Sequence, residues 1–353
     1  MKTKILATAK ALPAHTRSTQ EILPFVEAWL DGQPERFQKK VLRIFKYAQV
    51  DRRYSIMSPE EVFTATSFED KNALYAERMT DLAEEALAKA LEKAGVKPDE
   101  LDYIITTSCT GIMIPSVDAY LINRLEMRQD IIRMPITEMG CAAGVSALIY
   151  AHDLLRAQPQ KRAAIVSLES PTSTFQLNDF SMTNVVSAAI FGDGVAAAIL
   201  GPQPDALKPV IQDHGMYHFY NELHMMGFNL RNTGLQMVLD PEVPAKIEEH
   251  FERILFPFLE RNQLSVADVE HFIFHPGGKK IVQMVESLLH KLGKNIDATK
   301  KVLREYGNMS SATVLYVLEE YLEHKTIEEG ERGLMLSFGP GFSAQRLLLR
   351  WEK

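Results

Sequence analysis

The chain carries a weak internal repeat, and that repeat limits it to folds built from two similar halves. The stretch LEKAGVKPDELDYIITTSCTG, starting at Leu91, is echoed 168 residues later by LERNQLSVADVEHFIFHPGG, starting at Leu259. Leu91 matches Leu259, Glu92 matches Glu260, and Leu101 and Asp102 match Val269 and Glu270. Each copy reads as a helix end, a polar turn and a buried strand, at Tyr103 to Thr107 and at His271 to His275. A second pair, GCAAGVSALIYAHDLL from Gly140 and GNMSSATVLYVLEEYL from Gly307, lies 167 residues apart. Both members read as strand-to-helix junctions with small residues in the first turn. RAAIVSL from Arg162 and RGLMLSF from Arg332 form a third pair, each a buried-strand pattern. Three matched segments in one order predict two α/β halves, each with a central sheet and covering helices. With 353 residues, 46% of them hydrophobic, the chain is long enough for such a double unit.

The repeat also places the chemistry. On this alignment Cys141 and Asn308 occupy equivalent helix starts, while His275 ends the strand equivalent to YIITT. A lone cysteine is ordinarily a small buried hydrophobe. A helix N-terminus, however, carries roughly half a positive charge, which favours thiolate, and a neighbouring imidazolium would lower the thiol pKa further. A thiolate attacks acyl carbonyls. Asn308 offers an amide NH₂ that can donate to an oxyanion.

The motifs MGCAAG, FGDG (Phe191 to Gly194), FHPGG, EYGNMSSA and SFGPGF (Ser337 to Phe342) follow in this order. In them the sequence resembles the thiolase-fold condensing enzymes, and among these the bacterial type III polyketide synthases of the chalcone synthase-like family. The resemblance covers essentially the whole chain. It implies an α/β thiolase-like fold with two similar halves in a layered αβαβα arrangement: an N-terminal half at 1–205 with the nucleophilic Cys141, and a C-terminal half at 206–353 with His275 and Asn308. It further implies that Cys141 accepts an acyl group from coenzyme A and that His275 pairs with the thiolate. His275 and Asn308 would hold the enolate left when malonyl-CoA loses CO₂. Repeated condensation and cyclisation would follow, with no cofactor beyond coenzyme A thioesters and no metal. His271 and His275 are four apart on a strand, a poor chelating pair.

An acyl-CoA user needs cations for phosphates. Arg36 to Tyr54 holds seven Lys/Arg against one Asp in a chain of net charge −7. By resemblance Lys40 and Arg43 match CoA-contacting positions. The third basic position falls on Tyr47, with Lys46 beside it, and Lys279 and Lys280 after HPGG stand in reserve. Phe191 resembles a gatekeeping aromatic, Thr174, Met237 and Ser310 fall at cavity positions, and Cys109 falls on a pocket wall. A second gatekeeping phenylalanine is replaced by Met237. Gly227 or Phe228 holds a size-controlling position, and Ser337 stands where a glycine usually opens the closing motif. Ile114 matches a position that crosses a dimer interface into the partner's cavity, so a homodimer is expected.

The negative charge argues against general nucleic-acid binding. No apolar stretch approaches the length of a bilayer span, and two cysteines make no disulfide framework. A cytoplasmic protein is the expectation. A fatty acyl-CoA starter giving an alkylpyrone or alkylresorcinol is the first product reading, because Thr174 and Met237 leave room for an aliphatic chain. The alternatives are a malonyl-CoA-primed synthase making a naphthalene- or phloroglucinol-type aromatic, favoured by Cys109, and a single-round 3-ketoacyl synthase. A hydroxymethylglutaryl-CoA-type enzyme would need a glutamate near the cysteine, and Glu138 is poorly placed for it.

Overall fold

In a computed structural model describing residues 2–64, 66–203 and 206–353, the repeat becomes one mixed sheet wrapped around two helices. The first half supplies β1 (Lys4–Ala11), β2 (His15–Ser18), β3 (Arg52–Ser55), β4 (Tyr103–Thr107), β5 (Ile132–Ile136), β6 (Ala163–Glu169) and β7 (Gly194–Gly201). The second supplies β8 (Lys208–His218), β9 (Met226–Arg231), β10 (Gly234–Leu239), β11 (His271–Phe274), β12 (Arg332–Gly339) and β13 (Ser343–Glu352).

The nine-stranded order is β5-β4-β6-β7-β1-β8-β13-β12-β11. Its two wings share one pairing pattern. β4 lies parallel to β6, which pairs antiparallel with β7, which pairs antiparallel with β1. β11, β12, β13 and β8 repeat that pattern. The expectation of a separate sheet in each half differs from this arrangement in one respect. Lys4 of β1 pairs with Val210 of β8, so the hydrogen-bonded ladder continues from one wing into the other.

The layers follow from side-chain alternation along each strand. Tyr103 and Ile105, Ala163 and Ile165, and Ala196 and Ala198 face a central core. Ile273, Met335 and Leu347 reach the same core from the other wing. Between the wings run the helices Ala143–Ala157 and Thr313–His324. Every residue from Thr313 to Tyr321 is buried, as a helix covered on all sides requires. The intervening residues point outward. Ile104, Val166 and Ala197 pack with the long helix Phe68–Ala94, and Phe272, Leu336 and Leu348 pack with Val243–Glu260 and Lys279–His290. The result is a helix–sheet–helix–sheet–helix layering. Among the described residues, no helix is long and apolar enough to cross a membrane.

Candidate active site

The two central helices begin side by side. Each is preceded by a single 3₁₀ turn, Gly140–Ala142 and Ser310–Ala312. The residue opening each turn is left-handed, with φ 49° at Gly140 and 46° at Ser310. A side chain on Gly140 would also lie 2.7 Å from Pro340. By backbone shape, then, Gly140 corresponds to Ser310 and Cys141 to Ser311. The sequence alignment, which paired Cys141 with Asn308, is displaced by three residues, and Asn308 lies just ahead of its turn.

Both starts face one cavity of about 680 Å³, measured to its open mouth. Cys141, His275 and Asn308 all line it, together with Cys109, Phe191, Met237 and Ser310. His275 follows β11, and its N–H donates to Leu336 O (2.9 Å), which extends the ladder by one step and fixes the ring's origin. Asn308 is held by its neighbours. Its Oδ1 accepts from the Ser310 N–H (2.8 Å), and its Nδ2 donates to Gly277 O (2.9 Å). An amide NH₂ has two donors, so one N–H of Asn308 is left for a ligand. Phe191 sits beside it: residues 191 and 308 form an isolated parallel bridge, and the Gly192 N–H donates to Asn308 O (3.0 Å).

The electrostatics differ from the expected thiolate–imidazolium pair. Burial pushes the Cys141 thiol up to about 12, against the Ser310 hydroxyl and the Asn308 amide, which favour thiolate. The Cys141 thiol lies 3.6 Å from Ser310 Oγ. Burial likewise pushes the His275 imidazole down to about 3, and neither ring nitrogen has a hydrogen-bond partner. Desolvation outweighs the helix terminus, so both groups rest neutral. Unpartnered buried nitrogens are costly and point to a role with a ligand.

Two buried carboxylates escaped the sequence reading. Glu169 ends the largely apolar run AAIVSLE and is fully buried. It accepts from Ser311 Oγ (2.5 Å), Thr110 Oγ1 (2.7 Å) and the Cys109 N–H (3.1 Å). Burial raises its pKa against those donors. Cys109 Sγ stands between Glu169 Oε2 (3.6 Å) and Ser310 Oγ (3.5 Å), and burial pushes its thiol well up. Asp193 of FGDG accepts from the N–H groups of Ile56 (2.9 Å) and Thr172 (3.0 Å), anchoring the loop that carries Phe191. A charged residue closing a strand whose other members are apolar except Ser167 was the available signal for Glu169. Glu138 is exposed and lines no part of the cavity.

The remaining site candidates divide. Gly227 and Phe228 both line the cavity. Met226 and Phe228 of β9 and Met237 and Leu239 of β10 form one wall, with residue 228 opposite 237 in the hairpin. Thr174 lines a second cavity of about 820 Å³, measured to its open mouth, that shares Pro171, Phe191 and Met237 with the first. Ile114 lies outside both and is 93% exposed. Lys40, Arg43, Lys46 and Tyr47 are exposed on or beside the helix Glu35–Lys46, and Lys280 is exposed at the start of Lys279–His290. Those two basic segments meet: Lys279 Nζ stands 5.8 Å over the Tyr47 ring.

Two family models match the chain. Residues 1–204 match the N-terminal domain of chalcone and stilbene synthases, and residues 219–351 match the C-terminal domain. The 1,3,6,8-tetrahydroxynaphthalene synthase of Streptomyces peucetius subsp. caesius is 33% identical over 99% of this chain and 93% of its own. A putative chalcone synthase of Bacillus subtilis (strain 168) is 30% identical over 99% of both chains. The crystal structure of the tetrahydroxynaphthalene synthase of Streptomyces coelicolor A3(2), described as a bacterial type III polyketide synthase, superposes with a TM-score of 0.93. It is 28% identical over 99% of both chains.

Proposed function

The chain belongs to the chalcone and stilbene synthase family and is a type III polyketide synthase, and from that premise we propose that it primes Cys141 with a fatty acyl group and extends it with malonyl-CoA. The observation carrying this reading is the apolar cavity beyond Phe191 and Met237, lined by Thr174, Phe175, Ile22 and Phe63. It adjoins the chamber of the cysteine, with Pro171, Phe191 and Met237 common to both. An aliphatic chain attached at Cys141 would pass between residues 191 and 237 into it.

In the loading step His275 takes the Cys141 proton as sulfur attacks the acyl-CoA carbonyl, and the proton leaves with the coenzyme A thiol. Neutral imidazole has the free lone pair this needs. Malonyl-CoA then binds with its thioester oxygen toward His275 and the unused N–H of Asn308. Loss of CO₂ leaves an enolate whose charge those donors offset. The enolate carbon attacks the Cys141 thioester, sulfur departs, and the longer chain, now on coenzyme A, is returned to Cys141. Cyclisation releases an alkylpyrone or alkylresorcinol. The basic segments around Lys40, Arg43, Lys46, Tyr47, Lys279 and Lys280 would receive the coenzyme A phosphates. The exposed Ile114 is available to a second copy in a homodimer.

A second reading, priming by malonyl-CoA to give a small polyhydroxy aromatic, is favoured by the relatives named for tetrahydroxynaphthalene and by Cys109 on the cavity wall. Incubation of the purified protein with malonyl-CoA, with and without a series of fatty acyl-CoAs, separates the two. Products whose masses track the added acyl chain support the first reading. An aromatic made equally fast from malonyl-CoA alone overturns it.

A further inference from the structure

Away from the cavity, His152, Asp153 and His214 bring three ligand atoms to within 4.8 Å of one another. His152 and Asp153 lie eleven and twelve residues after Cys141, on the helix that begins beside it, which puts their backbones roughly 16–18 Å along the helix axis from that of the cysteine. His214 lies on β8, in the other half of the chain. His214 Nε2 is 3.0 Å from Asp153 Oδ1, and the two imidazole rings meet edge to face with centroids 5.7 Å apart.

The His152 ring is the unexplained member. It is 6% exposed, and its Nδ1 is buried with no hydrogen-bond partner. Around the rings stand Asp153 and Asp213 against Arg156 and Arg261, with Arg261 already bound to Asp213 (2.7 Å). An unpaired donor nitrogen, a second imidazole and a half-exposed carboxylate are the ligand set that zinc-class cations take.

We propose that His152, Asp153 and His214 form a binding site for a zinc-class divalent cation that ties the Cys141 helix to the second half of the sheet. Tetrahedral zinc bonds of 2.0–2.1 Å place ligands about 3.4 Å apart, so Asp153 and His214, now 3.0 Å apart, must open slightly to admit the ion. The exposed Asp153 carboxylate has the freedom to do so, and water would take the fourth position. The role is structural, since the site lies far from the cavity.

Zinc titration of the untagged, metal-free, full-length protein tests this. The expected result is one equivalent bound and a melting temperature raised by several degrees at a hundredfold excess over Kd. Cobalt in its place should give a tetrahedral spectrum without a thiolate charge-transfer band. His214→Ala should abolish the effect. Asp153→Asn, at a half-exposed position that keeps the fold, should weaken binding at least tenfold. No binding below millimolar metal, a thiolate band from Cys109 or Cys141, or unchanged binding by Asp153→Asn would overturn the assignment.

Discussion

Gly140 and Ser310 hold the same left-handed backbone, φ 49° and 46°, at the two points where the central helices of the two halves begin. Their turns touch, which is why the Cys141 sulfur lies 3.6 Å from the Ser310 hydroxyl. Cys141, His275 and Asn308 are thus brought to one cavity where the repeat meets itself.

That meeting depends on close approach. A Cβ on Gly144 would stand 2.3 Å from the Ser311 carbonyl oxygen and 2.9 Å from Val314 Cγ1. Gly144→Ala therefore destabilises the protein by about 1–3 kcal/mol, although alanine is the better helix former by about 1 kcal/mol. Urea unfolding measures this, and a stabilised variant would contradict it.

Asn308→Ala removes the oxyanion donor and leaves the thiol in place. Malonyl-CoA decarboxylation should fall by about 10²–10³, while acyl loading of Cys141 falls far less. Separate rates for ¹⁴CO₂ release and acyl transfer check the split. Equal losses in both would place Asn308 in loading.

Much of this was legible in sequence, and the omissions have physical causes. Strands 103–107 and 163–169 and the small-residue helix starts announced themselves through apolar runs. Aligning Gly307 with Gly140 misplaced the second start, because Ser310 adopts the conformation that glycine signals and its letter does not show it. Glu169 was missed because a buried carboxylate depends on Ser311, Thr110 and Cys109, residues distant in sequence. The expected ion pair was not found because a terminus favours thiolate locally, whereas desolvation is set by every layer around it.

The neutral state of His275 has a stability consequence. Its folded pKa lies below the unfolded value of 6.5, so the unfolded chain binds the extra proton. Stability is complete above 6.5 and is lost as pH falls toward about 3. At about pH 5 the cost from this group is about 2 kcal/mol. His275→Gln should lose correspondingly less between neutral and about pH 5. Denaturant melts at the two pH values test this, and parallel losses in wild type and variant would contradict it.

Thr174→Leu fills the second cavity without touching the first, since Thr174 lines only the former. It should shift preference from long to short acyl starters by about tenfold per 1.4 kcal/mol of lost fit, with malonyl-CoA consumption per loaded chain unchanged. Competition between hexanoyl- and dodecanoyl-CoA, read by product mass, measures the shift.

The central claim is that Cys141 carries the growing chain. Intact-protein mass spectrometry of Asn308→Ala, in which extension stalls, should show a single acyl increment after incubation with a fatty acyl-CoA. Peptide mapping should place that increment on Cys141, and it should be absent from the Cys141→Ala, Asn308→Ala double variant. An adduct on Cys109, or one that persists without Cys141, would contradict the account.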